Sequence, residues 1–190
     1  MARENRGRLI IISAPSGSGK GTVIQRILTL RPDIVFSVSA TTRAPRPGEQ
    51  EGISYRFVTP ERFKEMIAND DFLEYAEYVG EFYGTPKMPI YESLEAGKDV
   101  LLDIEVNGAS QVLAKIPDAE TIFIIPPDME ELERRLRGRG TDGEEKLKAR
   151  LERARQELEE RSIYRHTVKN DTVKRAAAEI VSIINCYERK

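Results

Sequence analysis

The stretch Ala14-Pro15-Ser16-Gly17-Ser18-Gly19-Lys20-Gly21-Thr22 constrains this chain more than any other. Before it runs Leu9-Ile10-Ile11-Ile12, apolar, mostly β-branched and short enough for a buried strand; after it, Val23-Ile24-Gln25-Arg26-Ile27-Leu28 spaces its apolar residues as a helix does. A Gly-rich turn that joins a buried strand to a helix is the setting a phosphate-binding loop requires. Gly17 and Gly19 let the backbone curl so that successive N–H groups point inward. The positive end of the helix dipole adds to them, and Lys20 supplies a point charge for the β- and γ-phosphates of a nucleotide. The usual pattern is G-x-x-x-x-G-K-[ST]; here Ala14 stands at the first Gly and Gly21 at the Ser/Thr. Thr22, one residue on, is the candidate to contact Mg²⁺ or a phosphate instead. A chance lysine in an ordinary strand–turn–helix is the bland alternative, and the coincidence of loop, lysine, strand and helix argues against it.

The rest of the chain alternates strands and helices. Strands are predicted at 35–40, 52–58, 72–79, 82–85, 100–105, 121–125 and 167–170. Helices are predicted from Thr59-Pro60-Glu61 to about Asn69, with Thr59 as N-cap, and at 90–96, 109–116, 128–136, 144–160 and 173–187. Gly80-Glu81 suits a hairpin, and Glu144 to Glu160 reads as an exposed charged helix. This order implies an α/β fold with a parallel sheet and right-handed crossovers. Residues from about 35 to 85 form a β-rich insert within it.

Composition narrows the function classes. The chain has 190 residues, enough for one domain with a sizeable core, and a net charge of −2, which makes no electrostatic case for nucleic acid or an anionic membrane. No apolar run approaches the ~18 residues of a membrane span, and no signal-peptide core follows the basic start. The single cysteine, Cys186, forms no internal disulfide, so a reducing cytoplasm is the expected location. The sequence leaves the oligomeric state open.

The loop alone does not name a phosphoryl acceptor. Arg43 and Arg46 stand three apart on a Pro-rich segment, and guanidinium groups bind phosphate bidentately. Ser39-Ala40-Thr41-Thr42-Arg43-Ala44-Pro45-Arg46, followed by Gly48-Glu49, Gly52 and Tyr55, closely resembles the signature of guanylate kinases. The resemblance continues through Phe72-Leu73-Glu74, Tyr83-Gly84-Thr85, Leu101-Leu102-Asp103-Ile104, Arg135-Leu136-Arg137-Gly138-Arg139-Gly140 and Asn170-Asp171, and so covers essentially the whole chain. It implies a single three-layer domain of the phosphate-loop type. Its core would lie at about 1–34, 86–137 and 156–190, its GMP-binding insert at about 35–85 and a helical lid at about 138–155. It implies that Arg43, Arg46, Tyr55 and Tyr83 hold the phosphate of GMP, and that Ser39, Glu74, Thr85 and Asp103 line the guanine pocket. Arg135, Arg139 and Arg150 would close on the ATP phosphates as a lid, and Asn170 would lie near adenine.

The expected reaction is ATP + GMP giving ADP + GDP. Its nucleophile, a phosphate oxygen, is already ionised near neutral pH, so no catalytic histidine is needed, and His166 reads as structural. Positioning and charge neutralisation remain, with Lys20, Arg43, Arg135, Arg139 and Arg150 as the catalytic cations and Mg²⁺, held mainly by the nucleotide, bridging the donor phosphates. Glu74 is expected to read the N1–H and N2 amino group of guanine, with Ser39 and Thr85 serving O6. Asp103 also ends an apolar strand, where many phosphate-loop enzymes keep an acid near Mg²⁺. Two rivals stay open: a kinase for another nucleoside monophosphate, and a non-catalytic binding module of the same fold.

Overall fold

Strand β1 (Leu9–Ser13) is buried at all five positions, and the architecture builds outward from it. The computed structural model describes residues 6–78, 80–138 and 143–186. β1 pairs in parallel with β7 (Val100–Asp103) on one side and β8 (Glu120–Ile125) on the other. Two short strands complete the five-stranded parallel sheet: β2 (Val35–Phe36) beside β7 and β9 (His166–Lys169) beside β8. A strand buried on both faces needs apolar residues at every position, which the run Leu9 to Ile12 supplies. Ile10 and Ile12 pack with α1 (Lys20–Leu30) and α7 (Val173–Cys186) through Val23, Ile27, Ala177 and Ile180. Leu9 and Ile11 pack on the opposite face with α3 (Lys87–Glu95) and α4 (Val106–Lys115) through Ile90, Leu94, Ala109 and Val112. Helices therefore cover both faces of the sheet.

A second sheet of four strands has the order β4-β3-β6-β5, where β3 is Ala40–Thr41, β4 Arg56–Phe57, β5 Phe72–Tyr78 and β6 Glu81–Pro86. Helix α2 (Pro60–Ala68) covers it, stacking Phe63 on Phe72 at 4.5 Å and on Phe82 at 5.4 Å. Thr59 caps α2 by accepting from the Arg62 N–H, as the sequence predicts. The single strand expected at 35–40 is divided between the sheets. Ser37 N still donates to Leu101 of β7, whereas the Ser39 carbonyl, two residues on, accepts from Arg56 N in the second sheet. The strand expected at 52–58 shrinks to Arg56–Phe57. Gly52 takes a left-handed φ of 72°, and Ile53 N and Ser54 N both donate to the Gln50 carbonyl, so local turn bonds replace a ladder. The β5–β6 hairpin turns at Gly80, also left-handed, while Val79 lies outside the described residues.

Helix α5 (Met129–Gly138), where the Glu131 N–H donates to Asp128 as a cap, packs on α6 (Glu144–Glu159). The expectation that α6 is simply exposed is corrected here. Leu147, Leu151 and Ala154 form a buried stripe against Leu132 and Leu136, and that stripe orients the rest of the helix. A 3₁₀ turn (Glu160–Ile163) then leads to β9. Among the described residues no helix is long and apolar enough to cross a membrane.

At the N-terminal end of β7, Asp99 is 5% exposed and accepts from Arg8 N at 2.9 Å and from Arg8 Nη2 at 2.7 Å. Burial pushes its carboxyl up, but the hydrogen bonds of Arg8 and the charges of Arg8 and Arg31 outweigh burial and hold it below the usual carboxylate range. Asp99→Ala is expected to cost roughly 2–3 kcal/mol in urea unfolding, less than a fully enclosed pair because Arg8 keeps access to water. A lowered native pKa stabilises above the unfolded-state value and loses that stabilisation as pH falls through the native one. The gap between parent and variant should therefore narrow in acid.

Candidate active site

The turn after β1 brings Gly17 to φ 92° and Gly19 to φ 84°, both left-handed. A Cβ on Gly17 would lie 2.7 Å from Leu136 Cδ2, and one on Gly19 2.7 Å from Asn170 Nδ2, so each glycine is also required by close packing. Gly19 is the N-cap of α1 and carries no side chain to cap it; no acidic residue occupies the first turn either. The leading N–H groups of the helix are thus left for an external anion. Residues Ala14–Gly17 and Gly19–Thr22 line a cavity of about 280 Å³, which Glu105 and Glu157 close from the side.

The loop is braced by side chains from three other elements. Asn170, 2% exposed at the end of β9, donates from Nδ2 to the Ser18 carbonyl at 2.7 Å. Arg135 on α5 donates to the Ser18 carbonyl at 3.3 Å and to the Asn170 carbonyl at 3.1 Å, while its Nε binds Glu131 at 2.7 Å. From α6, Arg150 donates to Ser16 Oγ at 2.9 Å and Glu157 accepts from Ser16 N at 3.3 Å. Arg153 joins Glu157 to Glu105, at 2.9 and 2.7 Å, and lies over the Tyr78 ring. Arg153, Glu157 and the part Glu105 plays were not among the site residues expected from the sequence. The i, i+4 spacing of Arg153 and Glu157 was legible, but the burial of Leu147 and Leu151 that aims them was hidden by the surrounding charge.

Lys20 Nζ lies 2.6 Å from Asp103 Oδ1 and donates to the Ile104 carbonyl at 3.2 Å. The strand register explains the pairing: Asp103 ends β7 beside Ile12, next to the start of the loop. Asp103 thus meets the loop lysine, and its charge also reaches the Tyr55 hydroxyl, which burial first and then Asp103 push up. Tyr55 packs edge-on to Tyr83 at 6.1 Å and lies beneath the Arg43 guanidinium at 5.4 Å. Arg43 is held by Glu49 at 2.8 Å, and Arg46, exposed on the same loop, donates its N–H to Glu49. The hydrogen bond from Arg43 is the main reason the Glu49 carboxyl falls below its usual range. Arg43, Tyr55 and Tyr83 therefore form one cluster, linked through Asp103 to Lys20.

Glu74 and Thr85 face each other across β5 and β6, and both are buried. The Thr85 hydroxyl donates to Glu74 Oε1, so in this structure it serves the carboxylate first. Burial pushes the Glu74 carboxyl up, and the Thr85 bond opposes part of that rise. Ser39 is half-buried where the chain enters the second sheet. Arg139 lies outside the described residues. Arg134 and Arg137 pair with Glu131, Glu133 and Glu144. His166 lies 2.9 Å from Glu120 at the N-terminal end of its strand, the end opposite the loop.

Comparison with known proteins agrees with this geometry. The chain is 53% identical over 180 residues to a guanylate kinase of Streptococcus thermophilus, covering 94% of this chain and 86% of that one. It is 47% identical over 179 residues to a guanylate kinase of Synechococcus, covering 94% and 82%. A crystal structure of guanylate kinase from Anaplasma phagocytophilum superposes with a TM-score of 0.79 at 34% identity, covering 95% of this chain and 86% of that one. The guanylate kinase family model matches residues 6–187, from before β1 through the end of α7, and the chain belongs to that family.

Proposed function

We propose that the loop at residues 14–22 takes ATP, the second sheet takes GMP, and the chain transfers the γ-phosphoryl group between them, giving ADP and GDP. Family membership supports the reaction. The observation that carries the residue-level reading is the pair of sites joined through Asp103. One is an uncapped helix N-terminus with its lysine; the other is the cluster of Arg43, Tyr55 and Tyr83, on the sheet whose β5–β6 pair carries the buried Glu74.

An oxygen of the GMP phosphate attacks the γ-phosphorus, and the bond to the β,γ-bridging oxygen breaks as ADP leaves. The attacking oxygen is ionised near neutral pH, so the chain's contribution is positioning and neutralisation. The N–H groups of the loop and Lys20 take the charge that builds on the β- and γ-phosphates. Arg43 and Arg46, with the Tyr55 and Tyr83 hydroxyls, hold the acceptor phosphate. Arg135 and Arg150 approach the donor phosphates from α5 and α6, the family resemblance gives Arg139 the same role, and we read the segment at about 138–155 as the lid that excludes water. Asn170, which braces Ser18, supports the loop beside the adenine end. Asp103 releases Lys20 when phosphate arrives and remains next to the acceptor.

The oxygen donors at the mouth of the loop, the Thr22 hydroxyl and the Asp103 carboxylate, are of the hard type that suits Mg²⁺, with nucleotide phosphates as the main ligands. When bound, Mg²⁺ would supply charge neutralisation at the donor phosphates. A reaction on these two nucleotides by a chain whose single cysteine is free fits the cytoplasm.

Base choice rests on Glu74. Guanine presents two donors side by side, N1–H and the N2 amino group, and an ionised carboxylate accepts both. Adenine presents an acceptor at N1, which would face carboxylate oxygen with no proton between them. Thr85 turns the carboxylate, and Ser39 is left for O6.

An ADP-release assay with a panel of monophosphates tests the assignment: GMP should be preferred over AMP by roughly 10⁴-fold in kcat/KM, and equal use of AMP would refute it. Lys20→Ala should lower kcat by about 10²- to 10³-fold while circular dichroism stays unchanged. Glu74→Gln should lower kcat/KM for GMP by at least about 10²-fold and narrow the gap to AMP. Its thermal midpoint should not fall, because burial disfavours the charged form it removes. In the parent, kcat/KM for GMP should decline as pH falls through the Glu74 pKa, since protonation removes the acceptor. Because that pKa is raised, the decline begins above the ordinary carboxylate range, and Glu74→Gln should lack it.

A further inference from the structure

We propose that Gln111 and Lys115 on α4 are positioning residues for base selection, holding the backbone on either side of Glu74 so that its carboxylate meets the guanine edge. The inference rests on the reading that Glu74 recognises the base. β5 is an edge strand of its sheet, so its outer N–H and C=O groups have no neighbouring strand. Two side chains of α4 supply the missing partners, and they do so at the residues that flank Glu74. Gln111 acts as one rung of a strand: its Nε2 donates to the Tyr75 carbonyl at 3.1 Å and its Oε1 accepts from Tyr75 N at 3.3 Å. Lys115 Nζ donates to the Phe72 carbonyl at 3.1 Å and to the Leu73 carbonyl at 2.7 Å.

The Lys115 contacts coincide with an irregularity in the ladder. Phe72 pairs with Pro86 and Glu74 with Thr85, so two steps along β5 match one along β6 and Leu73 is the extra residue. Such a bulge re-aims the side chains beside it. Phe72 turns into the small core with Phe63, Leu73 into the main core with Ile11 and Ile90, and Glu74 toward Thr85. A bulge leaves main-chain groups out of the ladder, and an ammonium group that binds two successive carbonyls holds it in shape.

Gly108 completes the face. It precedes Gln111 and Lys115 by three and seven positions, the spacing of one helical stripe. A Cβ there would stand 2.7 Å from Glu74 Oε2 and 3.1 Å from its Cδ, so the carboxylate rests against bare helix backbone. A glycine inside a helix costs about 1 kcal/mol relative to alanine. The room it leaves for Glu74 is the compensating contact. α4 is itself fixed to the sheet by Val106, Ala109 and Val112, so this stripe ties the base-reading carboxylate to the rigid core.

Steady-state kinetics with GMP and with IMP, which keeps N1–H but lacks the N2 amino group, test the proposal. Lys115→Met should lower kcat/KM for GMP by roughly 10- to 100-fold, mostly through KM for GMP, with KM for ATP within about twofold of the parent. The preference for GMP over IMP should shrink, because a displaced carboxylate loses the bond to N2 first. Lys115→Arg, which still carries two donors, should recover most of the loss. Gln111→Leu should move the same quantities in the same direction, and it carries the test alone if Lys115→Met does not fold. If Lys115→Met and Gln111→Leu keep the GMP rate and the GMP:IMP ratio while Glu74→Gln loses both, the positioning role is wrong and the reading of Glu74 stands. If Glu74→Gln keeps both, the reading of Glu74 fails and this inference with it. If Lys115→Met lowers the ATP and GMP parameters together, in step with the folded fraction, the contact serves the fold alone and the proposal is overturned.

Discussion

The leading N–H groups of α1 are left without a cap, and the rest of the structure is arranged to keep them so. Two left-handed glycines turn the chain out of β1, and neither position accepts a Cβ without displacing Leu136 or Asn170. The loop's carbonyl at Ser18 is bound from β9 and α5, and Ser16 is bound from α6. Burial of β1 on both faces fixes where the loop starts; the bracing fixes its shape. The donors that point into the cavity then meet a ligand without first paying for their own ordering.

Several cations around the site are matched to carboxylates. Lys20 has Asp103, Arg43 has Glu49, and Arg153 has Glu105 and Glu157. Such pairs, partly open to water, are worth little by themselves, so exchanging one anion for another changes the stability of the fold only slightly. They also spare the ligand-free protein a concentration of unbalanced positive charge. Asp103 stands at the centre of this arrangement, bonded to the loop lysine and with its charge reaching the Tyr55 hydroxyl.

Glu74 follows the opposite logic. It is buried, its carboxyl is pushed up by that burial, and it keeps Thr85 as a hydrogen-bonding partner. A buried carboxylate is costly unless donors meet it, so a site that presents one favours a partner that supplies them. The edge strand that carries Glu74 has its outer hydrogen bonds supplied by Gln111 and Lys115 of the core helix α4. On the proposed reading of Glu74, base choice and fold would share the same short segment of backbone.

Local signals were legible where one residue type has one physical reason to be there. The apolar run of β1, the two loop glycines, the Thr59 and Asp128 caps and the turn at Gly80 each follow from short-range sterics or hydrogen bonding, and each was readable in the chain. So was the alternation that demands a parallel sheet. Tertiary structure decided what depends on partners distant in sequence. Ser37 and Ser39 bond to different sheets because their partners, Leu101 and Arg56, lie in different layers. The charged α6 hides a stripe of Leu147, Leu151 and Ala154 that has meaning only against α5. Asp103 was legible as an acid at a strand end, but its partner, Lys20, is set by the register of β7 on β1. Nothing in the sequence around Gln111 and Lys115 points to a role for them. Their bonds to the edge of β5 exist only because that strand packs along α4; the helical spacing of Gly108, Gln111 and Lys115 is in the sequence, but the partner it faces is not.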